Sequence, residues 1–431
     1  MTTGTRSAGM APPAAGAPRG ARLLPSHQMR GLAEHLGWFG ELAPVAPSMV
    51  SEIERSGLRG KGGARFPTAT KLAAVATRSR GRAVVVANGT EGEPASLKDT
   101  VLMSRTPHLV LDGAETAAAI VGAREVIVCV KRGSVTIPVL ERAVEERRAH
   151  GYSRVPVRIF GTPNRYVSGE ETAIVNWLNG GDAKPTFVPP RPFERGVSGR
   201  PTLVQNVETL CDIALVARFG AAWYRSGGTA DDPGTTLVTL SGAVERPGVY
   251  EIALGARLGA VMRRGGAEPG GLAAILVGGY FGTWLPVVDA AEVQMAVEPL
   301  RGMGAGLGAG ILFAMPREGT CALAEIARAT RWLADQNAGQ CGPCVNGLDS
   351  IAAAMAELVA GDRGGRARSH LDRWLSMVEG RGACKHPDGV SRFVGSGLRV
   401  FADEIERHRR RGPCGIGDRL LLPTPRTGGW Q

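Results

Sequence analysis

The chain has 431 residues, 43% of them hydrophobic and 21% charged, a balance that excludes a disordered protein and gives room for about three domains with cores of their own. Its 51 basic against 40 acidic side chains leave a net charge of +11, which suits an acidic partner, while an aromatic content of 5% argues against a nucleic-acid reader that stacks bases in a groove. No apolar run of signal length opens the chain. The longest uncharged stretch, residues 269–288, is interrupted by Gly270, Gly271, Gly278, Gly279, Gly282 and Pro286, so it reads as two buried strands around a turn and not as a membrane span. A cytoplasmic protein without direct membrane insertion is expected, its seven cysteines being reduced thiols or metal ligands.

Residues 1–25 read as a disordered tail. A helical pattern over Leu32–Arg55 leads into GLRGKGGARFPTATK, Gly57 to Lys71. Gly57, Gly60, Gly62 and Gly63 let the backbone approach a ligand closely, and Arg59, Lys61, Arg65 and Lys71 surround them with positive charge, so phosphate is the expected ligand. The β-branched run Ala83–Ala87 reads as a strand buried on both faces. It is followed by NGTEGEPASLKD, which carries Glu91, Glu93 and Asp99 past the strand's carboxyl end, where ligands sit in open α/β sheets. A helix (Leu111–Val121), a strand (Glu125–Val130), a helix (Thr136–His150) and a strand (Val155–Phe160) continue the alternation of a mostly parallel α/β domain. Gly169, Glu170 and Glu171 then open a helix, paired carboxylates that also suit an ordinary first turn. After a Pro-rich loop, Val204–Thr209 opens another.

From about residue 231 short strands dominate: Thr235–Ser241, Val249–Ile252 and Ala274–Gly278, a small α+β module, and then a strand at Ile311–Ala314. The remainder is helical, over Thr320–Gln336, Val345–Ala360, Ser369–Val378 and Val390–Arg411. Cys341 and Cys344 form C-G-P-C between the first two helices, and Cys384 precedes the last. This pattern suggests a metal or iron–sulfur site at one end of a bundle, since a redox dithiol would sit in a βαβ context that is absent here.

Six of these stretches, GLRGKGGARFPT, NGTEGEP, YVSGEETA, PTLVQNVETL, LSGAVERPGVYE and AGQCGPCVNG, in this order over residues 30–410, resemble the flavin-binding 51 kDa (F) subunit of respiratory NADH dehydrogenases. Relatives occur in NAD-linked hydrogenases and formate dehydrogenases. The resemblance implies a Rossmann-like FMN-binding α/β domain (26–230), a ubiquitin-like β-grasp module of SLBB type with its connection (231–318), an iron–sulfur four-helix bundle (319–411) and a C-terminal tail (412–431). It implies an FMN site of Gly60, Gly62, Gly63, Lys71, Asn88, Glu91, Gly169, Glu170, Glu171 and Asn206. It places Phe66 and Glu93 at the nucleotide and Glu93 and Glu171 as carboxylates near the nicotinamide. The implied activity is electron transfer from NAD(H), NADP(H) or ferredoxin through FMN to an iron–sulfur cluster and on to a ferredoxin-like or other redox subunit; a non-catalytic assembly or regulatory paralogue is the alternative.

The sequence also departs from the family. Arg65 replaces a glycine and is expected to put a long cation where the dinucleotide approaches. Thr90 replaces an aspartate, Gln205 an asparagine, and Val188 and Arg191 a lysine and an aromatic residue. At the cluster motif the first cysteine is Ala338, leaving Cys341, Cys344 and Cys384 for a [3Fe-4S] cluster, or for a [4Fe-4S] cluster with His386, Asp335, Asn337 or an exogenous fourth ligand. Cys321 lies 17 residues before Ala338 and is not expected to substitute. A continuous helix over Val390–Arg411 would carry Cys414 about 30 Å from Cys384.

Overall fold

The apolar run AVVVANG forms β1 (Ala83–Gly89), and in the computed structural model it lies inside a four-stranded parallel sheet with β2 (Ala123–Lys131), β3 (Val157–Thr162) and β4 (Thr202–Asn206), in the order β3-β2-β1-β4. Both faces of β1 are covered, as its unbroken hydrophobicity requires. Ala83, Val85 and Ala87 pack with helices Pro107–Val121 and Val207–Arg225, and Val84 and Val86 with helix Glu171–Leu178. The first two helices meet at their backbones: a Cβ on Gly113 would stand 1.9 Å from the Leu210 carbonyl oxygen.

The structure describes residues 22–415, 421–426 and 428–430. Most of the expected disordered tail, residues 1–21, lies outside these, but residues 22–25 correct the expectation. Leu23 is fully buried, and the amides of Arg22 and Leu23 donate to the Glu251 carboxylate at 2.9 Å. The helical pattern Leu32–Arg55 divides into Leu32–Phe39 and Met49–Ser56. Gly40, at φ +76°, ends the first helix, and Pro44 and Pro47 lack the N–H that a continuous helix would need. Residues Thr202–Asn206, expected in part as a helix start, are strand β4; Asn206 closes it and caps the next helix by accepting from the Glu208 amide at 3.0 Å.

A second, mixed sheet runs β6-β5-β9-β7-β8. It is built from β5 (Thr235–Gly242), β6 (Gly248–Ala253), β7 (Leu272–Val277), β8 (Thr283–Pro286) and β9 (Ile311–Pro316). The two strands expected in the uncharged stretch are the antiparallel pair β7 and β8.

The C-terminal part packs helices Ala322–Asp335, Asp349–Val359, Arg366–Val378, His386–Val400 and Ala402–Arg411 around Leu333, Leu348, Met355, Phe393 and their neighbours. The expected single helix Val390–Arg411 is broken at Phe401, whose ring is buried 5.6 Å from that of Trp284. The tail returns across the first of these helices: Leu422 is buried and Trp332 Nε1 donates to the Pro425 carbonyl at 2.8 Å. Among the described residues no helix is long and apolar enough to cross a membrane.

Candidate functional site

The register of β1 and β4 sets Asn88 beside Asn206 at the strands' carboxyl ends. Because β2 and β3 continue from one side of β1 and β4 lies on the other, this is the point where strand order reverses, the usual ligand crevice of such sheets. Asn88 Nδ2 donates to the Gly169 carbonyl at 2.9 Å, and its Oδ1 accepts from the Thr90 amide at 3.0 Å. Asn206 Nδ2 donates to Asp99 Oδ2 at 2.8 Å. Beneath them the buried Lys98 ammonium bridges Asp99 at 2.6 Å and Glu208 at 2.9 Å. Burial lifts the Asp99 carboxyl to about 6 despite Lys98. Of this charged floor the sequence points to Asp99, past the end of β1; Lys98 and Glu208 join it only through the fold.

The glycine loop is fastened over that floor. The Lys61 amide donates to Thr209 Oγ1 at 2.8 Å and the Gly60 amide to the Phe66 carbonyl at 2.9 Å. A Cβ on Gly62 would touch Asn206 Cβ at 3.4 Å, and Gly63 adopts φ +107°, which side chains rarely tolerate. Two of the four expected surface cations point inward instead. Lys61 is buried, its ammonium donating to the Thr235 carbonyl at 2.7 Å with Asp212 3.8 Å away. Arg65, at φ +52°, buries its guanidinium Nε and Nη2 without a hydrogen bond. Burial lowers its pKa, opposed by the nearby Glu208, Asp232 and Asp212 carboxylates. Its guanidinium is thus turned inward, and the expectation that it stands over the dinucleotide approach is corrected. Arg59 remains exposed, and Lys71 pairs with Glu171 at 2.5 Å across the mouth.

The carboxylates divide by the bonds they already make. Glu91 accepts from Ser96 Oγ and from the amides and hydroxyl of residues 99 and 100, so it shapes its own loop. Glu170 caps helix Glu171–Leu178 through the Thr172 and Ala173 amides at 2.8 and 3.0 Å. Glu93 accepts from the Tyr166 hydroxyl at 2.5 Å and the Tyr280 amide at 3.1 Å; burial raises its pKa to about 7 even so. Phe66, by contrast, is 53% exposed at the loop's rim.

Tyr166 joins this region to the cysteines. Its amide donates to Gln336 Oε1 at 3.2 Å, and its ring lies 5.6 Å from both Trp332 and His386. Directly beyond Gln336, the C-G-P-C turn continues into one turn of π-helix, Pro343–Leu348. The thiols of Cys341, Cys344 and Cys384 share one field: burial first, then Cys341 and Cys384, push the Cys344 thiol upward. Ala338 stands where the motif has a thiol, and its backbone opposes that rise at Cys344. Of the alternative fourth ligands, Asp335 is paired with Arg331 at 2.8 Å and Asn337 Nδ2 donates to the Ala334 carbonyl. The buried His386 donates to the Leu333 carbonyl at 2.9 Å and keeps an unpartnered Nδ1.

These residues fit both groups implied by the resemblance. Bare glycine backbone, the Lys71 cation with a carboxylate partner, and strand-end amides suit FMN, while three neighbouring thiols suit an iron–sulfur cluster. Residues 53–215 match the model of the Nuo51 FMN-binding domain, and residues 324–408 that of the NADH-ubiquinone oxidoreductase-F iron-sulfur binding region. The chain is 31% identical over 390 residues to the F 2 subunit of the NADH-quinone oxidoreductase of Rhizobium meliloti (strain 1021), covering 87% of this chain and 91% of that protein. It is 32% identical over 389 residues to the corresponding F subunit of Mycobacterium tuberculosis (strain ATCC 25618 / H37Rv), covering 85% of each. Among solved structures it is similar to a chain of the NAD+-reducing [NiFe]-hydrogenase in the H2-reduced state, with a TM-score of 0.78, 29% identity, and coverage of 88% of this chain and 68% of that one.

Proposed function

The chain belongs to the family of the NADH-quinone oxidoreductase F subunits, and on that premise we propose that it is the flavoprotein component through which electrons from a nicotinamide nucleotide enter a redox complex. FMN held at the strand ends would supply the change from two-electron to one-electron transfer, and an iron–sulfur cluster held by the cysteines would supply a one-electron route outward. In this reading the loop Gly60–Gly63 and Lys71 hold the phosphate, with Glu171 releasing Lys71 as the anion arrives. Asn88, Gly169 and Asn206 orient the ring, supported by Glu91 and Glu170. Phe66, Glu93 and Glu171 meet the nucleotide, and Cys341, Cys344 and Cys384 hold the cluster. The observation that carries the proposal is the meeting of four separated segments at the β1/β4 reversal, joined through Tyr166 and Gln336 to the cysteine turn.

With Arg65 turned inward, donor choice passes to the exposed loop at Phe187, Val188 and Arg191. A ferredoxin-like acceptor suits the basic balance, and seven free thiols suit a reducing cytoplasm. Anaerobic purification with flavin and iron counts tests the assignment. Flavin and iron are both expected, with NADH or NADPH bleaching the flavin. Folded protein without either cofactor would overturn it, and a flavin that NADH, NADPH and reduced ferredoxin all fail to reduce would favour the non-catalytic alternative.

A further inference from the structure

The break at Phe401 has a second effect. It directs the last helix back toward the start of helix Ala322–Asp335, so that Glu404 and His408, one turn apart on one face, meet Cys321 at that helix's N-cap. Past the end of the helix, Gly412 at φ +81° and Pro413 turn the chain, and Cys414 joins the same group. One ligand atom from each of Cys321, Glu404, His408 and Cys414 lies within 4.8 Å of all the others. We propose that these four residues form a site for a single divalent metal ion of the zinc class, separate from the iron–sulfur cluster.

The chemistry is that of a closed structural site: two thiolates, an imidazole and a carboxylate around one ion. With Zn–S of about 2.3 Å and Zn–N of about 2.0 Å, a tetrahedral S···N edge is about 3.5 Å, and Cys321 Sγ lies 3.6 Å from His408 Nε2. The histidine is already oriented. Its Nδ1 is 2.9 Å from the Val359 carbonyl, which can only accept, so Nδ1 carries a proton and Nε2 is the nitrogen left to face the sulfur, the arrangement that metal-binding histidines share. The turn after Val359 braces it, since a Cβ on Gly361 would come within 2.9 Å of the His408 carbonyl oxygen. Cys321 and His408 are buried while Cys414 is exposed at the rim, giving an ion a way in. Arg407, 3.9 Å from Glu404 and largely exposed, can swing away. Binding displaces the thiol protons of Cys321 and Cys414 to solvent and changes no oxidation state. Cys321 and Cys414 also fall outside residues 324–408, the matched iron–sulfur region.

Metal analysis of the full-length protein, purified anaerobically from zinc-supplemented cells, tests the site. About one zinc per chain is expected beside the iron, with a sulfur shell near 2.3 Å at the zinc K-edge. Cys414→Ser, at the exposed rim, and His408→Gln should each lower zinc at least about fivefold while flavin and iron stay at wild-type level; Cys341→Ser should do the reverse. Zinc below about a tenth per chain, zinc undiminished in the Cys321→Ser/Cys414→Ser double variant, or a Cys321–Cys414 disulfide in the anaerobic protein would overturn the proposal.

Discussion

Single side chains decide how this site meets charge. The Glu93 carboxyl, held near 7 by burial against an ordinary 4.5, binds its proton more tightly in the folded chain than in the unfolded one. Its contribution to stability is therefore complete below about pH 4.5 and is lost as pH rises through 7. Glu93→Gln should remove that component: the melting-temperature difference between wild type and variant should change steadily from about pH 5 to 8, and a constant difference would refute the burial argument. Tyr166→Phe, which deletes the hydroxyl that stabilises the charged form, should move the Glu93 titration still higher. Arg65 supports a contrasting expectation. Because its guanidinium faces Glu208, Asp212 and Asp232, Arg65→Gly should alter the rate of NADH-driven flavin reduction by less than about threefold (~0.6 kcal/mol) in stopped-flow absorbance. A tenfold gain would put the side chain back over the dinucleotide path.

At the level of elements, the site depends on two places where backbone meets backbone or thiol. Gly113 lets the helices flanking β1 and β4 touch, and Gly113→Ala would force a methyl group into the Leu210 carbonyl. Overpacking of this kind costs about 1–3 kcal/mol or more, so the urea midpoint should fall and flavin should be lost with it, since the second helix begins beside Asn206. At the cysteine turn, Ala338 is buried near Cys344, where the motif has a thiol. Ala338→Cys should raise iron from about three toward about four per chain, the complement of a four-cysteine cluster; unchanged iron and EPR spectra would show that the fourth position is already filled. What the sequence disclosed follows the same division. The run AVVVANG announced a buried strand, and the glycine loop its open backbone, because each signal is local. β4 is only five residues long and ends in a residue that also caps a helix, so its apolar pattern merges with the helix behind it. At the break the Phe401 ring packs on a distant Trp284, and the inward turn of Arg65 puts its guanidinium in the field of Glu208, Asp212 and Asp232, far along the chain; no local pattern carries either.

Across the whole molecule, electrostatics is distributed unevenly between appearance and effect. The most basic run in the chain, Arg407–Arg411, is partly answered within its own helix. Arg409 and Arg410 both pair with Glu406 and draw its pKa down to about 2, and Arg407 stands near Glu404. Most of the excess of +11 therefore lies away from that helix end and acts as a diffuse field. A diffuse positive field accelerates the approach of an acidic macromolecule and is screened once the Debye length falls well below the dimensions of the two surfaces. With reduced ferredoxin as the probe, the bimolecular rate of flavin reduction should fall at least about tenfold between roughly 50 and 500 mM salt. Neutralising the helix end with Arg409→Ala and Arg410→Ala should change that salt dependence by less than about twofold, because Glu406 already offsets one of the two charges removed and the other is a small part of the net +11. A rate indifferent to salt would remove the acidic-partner reading, and a salt dependence abolished by the double variant would move the docking surface onto the last helix.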